Sequence, residues 1–125
     1  MFVEERLAEI TERRIAQGWD ALSPREVVAE HVSQALFKTV AGGPGGLRYN
    51  ADEAERAAVI AAAHEIALPE FESWLRDVFA TPIETPDEMD HDLWDRFSEL
   101  EPKVYDRLET FLDVPNPRVH SKDEG

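Results

Sequence analysis

Asp87, His91 and Asp95 stand four residues apart in turn, so a helix places them on one face. Two carboxylates and an imidazole gathered there could serve as ligands for a divalent cation, and these three are the metal candidates of the chain. They belong to its densest charge cluster, which also holds Glu84, Glu88, Asp90 and Asp92. A plainer account weighs against coordination. Acids gather at the start of a helix because its positive dipole end favours them, and the remainder solvate an exposed face. Neither His31 nor His64 belongs to a His-x-x-x-His or Glu-x-x-His pair that would support a metal site of the bundle type, and no cofactor is expected.

The same cluster can instead meet a protein. Trp74 and Trp94 flank the apolar stripes of their helices, and tryptophan is among the residues most enriched at binding hot spots. A wide core face would bury both. Left partly exposed, Trp74 and Trp94, with Asp87, Asp90, Asp92 and Asp95, would form a surface suited to a basic partner.

His31 and His64 fall near apolar stripes and read as core or boundary residues; facing each other beside Glu30 or Glu65, they could take a metal. The run Gly42-Gly43-Pro44-Gly45-Gly46 precedes a helix, as phosphate-binding loops do, but it lacks their Lys-Ser/Thr ending and a preceding strand. The helix it leads into begins with acids that would repel a phosphate. It is expected to be a flexible connector that a partner could order.

These residues need helices to place them. Val3, Leu7 and Ile10 give the first helix, from about Phe2 to Gln17, with Gly18 as its stop. Trp19 and Leu22 are expected to fold back on the core. Ser23-Pro24-Arg25-Glu26 is a capping box with proline at the first helical position. Val28, Val32, Ala35, Leu36 and Thr39 mark the inner face of this second helix, which should end near Val40. A third starts after Asn50, with Ala57, Ala61, His64, Leu68, Phe71, Leu75 and Val78 as its seam. Pro69 must bend it or break it. After a linker over Thr81–Thr85, Thr85-Pro86-Asp87-Glu88 is a second capping box, and Leu93, Phe97, Leu100, Val104, Leu108 and Phe111 continue to about Asp113. Pro102 again interrupts. The expectation is an all-α, irregular up-down bundle of four principal helices, the third and fourth bent or broken at Pro69 and Pro102. Residues 1–113 form its single domain, and 114–125 an extended, disordered tail.

Composition sets the outer bounds. At 125 residues and 42% hydrophobic, the chain suits one globular domain. The absence of cysteine excludes disulfides and sulfur-ligated zinc. The opening MFVEERLAEI carries acids and no apolar run, and no stretch has the length of a membrane span, so a cytoplasmic protein is expected. With 27 acids against 13 bases, the net charge of −14 opposes direct contact with nucleic acid or an anionic membrane. The reading is a non-catalytic accessory, regulatory or assembly factor with a basic protein partner; a homo-oligomer is left open. One alternative is an acidic inhibitor that mimics nucleic acid. Another is a metal-dependent hydrolase using the acidic–histidine face.

Overall fold

The computed structural model describes residues 2–82 and 87–112, and the side chains of all of these except 87–89. Its helices are α1 (Val3–Gln17), α2 (Pro24–Asn50), α3 (Glu53–Glu65), α4 (Pro69–Ala80) and α5 (Asp87–Leu112), with a short 3-10 turn at Trp19–Ala21. No strand occurs among the described residues, so the class is all-α. No described helix is long and apolar enough to cross a membrane. The capping box at Thr85–Glu88 and the tail from Val114 lie outside the described residues or their side chains.

The described residues make five helices because Pro69 breaks the third expected one instead of bending it. Ala67 takes the left-handed conformation at φ 60°, and the Leu68 N–H donates to the Ala63 carbonyl at 3.3 Å, closing α3. Pro69 then opens α4, at the one place where its missing N–H is not needed. This turn also resets the helical phase. Phe71, Leu75 and Val78 are buried as the seam requires, but Ala57, Ala61 and His64 face solvent. The buried face of α3 is instead Val59, Ala62 and Ala63, leading into Ile66. Pro102, by contrast, sits inside an uninterrupted α5. It leaves the Ser98 carbonyl without its usual helical donor on an exposed face, where water can serve.

A second correction concerns the glycine run. Helical structure does not stop near Val40 but continues to Asn50, departing only at Gly43 (φ 73°, ψ −175°). Gly43 supplies the positive φ that joins two arms of α2, and Pro44 starts the second arm as its first residue. Pro44, Leu47 and Arg48 of that arm are buried. The cap of α3 is accordingly Asp52, whose carboxylate accepts from the Glu55 N–H at 2.8 Å; Asn50 instead ends α2.

One core joins all five described helices, and Val3, Leu7, Ile10, Val32 and Leu36 are all buried in it as the periodicity predicts. Along α4 from Glu70 to Asp77, the ion-pair partners on α5 step back from Lys103 to Arg96, so the two run antiparallel. Trp74 lies between them. It is fully buried, and its indole N–H donates to the Leu93 carbonyl at 2.8 Å.

Candidate functional site

The glycines of α2 matter for what they let approach. A Cβ on Gly45 would stand 3.2 Å from Asp90 Oδ2, and one on Gly46 would stand 3.3 Å from the Lys38 carbonyl oxygen. Bare backbone therefore lets the second arm lie close against the start of α5. The Gly42–Gly46 segment, Asp90, His91 and Trp94 line an open notch of about 340 Å³.

Arg48 secures the notch from behind. Its Nε donates to the Val78 carbonyl at 2.8 Å and its Nη2 to Asp90 Oδ1 at 3.0 Å, which ties α2 to the end of α4 and to α5. The guanidinium is buried, and Nη1 has no partner among the described residues. Asp90 is thus half of a structural ion pair rather than a free surface charge. Its neighbours His91, Asp92 and Asp95 are exposed.

Trp94 is the aromatic member of this face. It is 37% exposed, and its inner side stacks on Phe97 with centroids 5.7 Å apart. Phe97 in turn lies 5.2 Å from Trp74. A row of rings therefore runs from the core to the surface and ends at Trp94, part of which is offered to solvent. Packing of this kind limits the rotamer freedom a side chain must lose on binding.

The sequence-derived site residues separate accordingly. Asp90, His91 and Trp94 come together at the glycine notch, while Asp92 and Asp95 are exposed on the same stretch of α5 and do not line it. Trp74 does not join them: its burial between α4 and α5 leaves it no surface to present. The side chain of Asp87 lies outside the described ones. Among the described residues no three His, Asp or Glu side chains are grouped to hold a metal.

The two histidines do not face each other. His64 is 76% exposed, with Nδ1 at 3.4 Å from a Glu72 carboxylate oxygen across the α3–α4 turn. His31 instead stacks on Trp19, with centroids 4.6 Å apart, and the Arg14 guanidinium lies 5.3 Å from the Trp19 ring centre. Burial lowers the His31 pKa below its ordinary value, with Arg14 adding to this, while Glu30 and Glu55 oppose it. Trp19 and His31 form one end of a cleft of about 470 Å³ between α2 and α3. Lys38 stands at the other end, its Nζ donating to the Asn50 carbonyl at 2.9 Å and to Glu55 at 3.3 Å. Its floor is small and apolar, with Ala35, Ala58 and Val59.

Nothing in the pattern of the sequence marks the buried charges. Glu30 has no exposed side-chain surface and accepts from Arg14 Nε, from Thr11 Oγ1 at 2.6 Å and from Gln34 Nε2 at 3.1 Å. Glu26 is held by Arg6 and Arg13, each at 2.8 Å, and by the Ser23 N–H at 2.9 Å. These contacts bind α1 to α2 by charge as well as by packing. The legible signal was the capping box alone, which accounts for Glu26 and not for its two arginines.

Compared with protein-family models, with curated proteins and with solved structures, the chain gives no match.

Proposed function

We propose that this protein is non-catalytic and works by contacting another protein, with the start of α5 as its contact face and a basic surface as its partner. One observation carries the reading: Trp94 stacks on Phe97 yet remains partly exposed, on a stretch of α5 where Asp92 and Asp95 are exposed as well. An exposed indole with carboxylates on the same helix suits a basic surface, whose lysine or arginine side chains gain a cation–π contact at one point and ion pairs at others. The glycine notch beside it gives such a side chain room to enter.

Two variants test this. Tagged protein would be used to capture partners from cells of its native host, alongside Trp94→Ala and the Asp92→Asn, Asp95→Asn double variant. All three positions are exposed, so the fold should persist, and circular dichroism would verify it. The reading requires a protein with a basic surface that wild type captures and both variants lose. Capture that is indifferent to both variants would refute it.

A further inference from the structure

A second surface lies away from the notch, where α1 and α2 run side by side and α5 closes one end. Leu7 and Leu36 form the floor of a groove of about 470 Å³, with Phe37, Val40 and Tyr105 among its walls. Phe37 is 67% exposed and Val40 58%, so two large apolar side chains stand in water on adjacent turns of one helix. The lining stretches from Glu4 to Glu12 on α1 and from Ser33 to Val40 on α2, about two helical turns on each side.

Its charge is one-sided. Glu4 and Glu12 are part of the lining, and no lysine or arginine is. The nearby bases point elsewhere: Arg6 and Arg13 are drawn to Glu26, Arg14 to Glu30 and Lys38 to Glu55, none of which lines the groove. The Tyr105 hydroxyl is pushed above its ordinary pKa by burial and by the nearby Glu101 and Glu4, a separate sign that acids converge on this end. The ion pairs of Arg6, Arg13, Arg14 and Lys38 thus draw these charges away and leave this face apolar in the middle and acidic at the edge.

We propose that this groove takes an amphipathic helix of a partner protein whose apolar stripe meets Phe37 and Val40 and whose flanking lysines or arginines meet Glu4 and Glu12. It rests on the reading that the protein acts by contacting proteins, but assigns a different surface and names the partner's chemistry. Two turns of groove match apolar anchors at i, i+3 or i+4, and i+7 of an incoming helix. A second copy of the chain is a poorer occupant, because it would set Glu4 and Glu12 against further acids of a molecule carrying net charge −14.

The test is a titration of isotopically labelled, full-length protein, followed by NMR, with a leucine–lysine peptide of about 18 residues patterned as an amphipathic helix. Two controls accompany it: the same pattern with glutamate for lysine, and the same composition in strand-like alternation. Shifts should cluster on Leu7–Glu12 and Gln34–Val40, and both controls should bind at least about tenfold more weakly. Phe37→Ser combined with Val40→Ser should cost about tenfold or more in affinity, while Ala57→Ser, on the exposed side of α3, changes nothing. Glu4→Gln with Glu12→Gln removes no apolar contact, and should weaken the lysine peptide alone. Shifts confined to the start of α5 and abolished by Trp94→Ala would overturn the groove while sparing the contact face. Binding indifferent to peptide charge, a dimer in sedimentation that Phe37→Ser abolishes, or cross-peaks between Phe37 and residues 113–125 in the free protein would each overturn it too.

Discussion

Glu30 carries its carboxylate with no exposed side-chain surface, and among the described residues its hydrogen-bond partners belong to α1 or to its own helix. Removing it would strand Arg14 and the Thr11 hydroxyl. Breaking a fully buried pair costs about 3–5 kcal/mol, and Arg14 keeps some water, so Glu30→Ala should cost about 2–3 kcal/mol in chemical denaturation. A loss below about 1 kcal/mol would show that Arg14 finds another acceptor at no penalty. Glu26 gives a prediction in pH. Burial opposes its charge, but the Ser23 N–H, Arg13 and Arg6 outweigh this and lower its pKa from 4.5 to about 2. The unfolded chain binds the proton first as pH falls, so the stabilisation is complete above about 4.5 and is lost as pH falls toward about 2. It amounts to something on the order of 3 kcal/mol. Stability measured between those limits should fall more steeply for wild type than for Glu26→Gln; equal slopes would contradict the assignment. Residues such as Glu30 and Arg48 were illegible in the sequence, because charged side chains read as surface until their partners on other helices are known. Trp94 and its acidic neighbours were legible because they crowd within one helix.

Helix by helix, legibility followed the continuity of phase. The inner faces of α1, α2 and α5 could be read because the chain runs several turns without a reset. The face of α3 could not, because Ala67 at φ 60° breaks the phase carried from Ala57 toward Phe71. The glycine run was misread for a related reason: composition favoured a loop, while a single positive φ at Gly43 and a proline at the next position suffice to restart a helix. Phe37 was a signal passed over, being an apolar residue out of phase with Val32, Leu36 and Thr39; Val40 continues their spacing and is exposed nonetheless. Three substitutions test this backbone account by thermal melting. Gly43→Ala forces a side chain into the left-handed region and should destabilise by about 1–2 kcal/mol. Gly42→Ala, helical and with open space around its Cβ, should stabilise by about 0.5–1 kcal/mol. Ala67→Gly relieves a strained turn and should gain up to about 1 kcal/mol. Equal effects at Gly42 and Gly43 would mean that the bend is not where the structure puts it.

For the molecule as a whole, the acids are spread over its surface. Glu4, Glu5, Glu9 and Glu12 are exposed on α1, Glu53 and Glu65 on α3, Glu70 and Asp77 on α4, and Asp92, Asp95 and Glu99 on α5. Helices packed around one core turn these faces in different directions, which favours a protein-contacting role over imitation of a duplex. The net charge of −14 repels itself, so added salt should raise the melting temperature from its low-salt value. A steady fall would mean that the Glu26 and Glu30 pairs outweigh the surface repulsion. The contact role itself is tested most directly from position 94. A photo-crosslinking residue placed there in cells of the native host, and separately at the exposed Ala57 of α3, should join the protein to one predominant partner with a basic surface from position 94 alone. Crosslinks of the same identity and yield from both positions, or none from position 94 in a folded variant, would contradict the account.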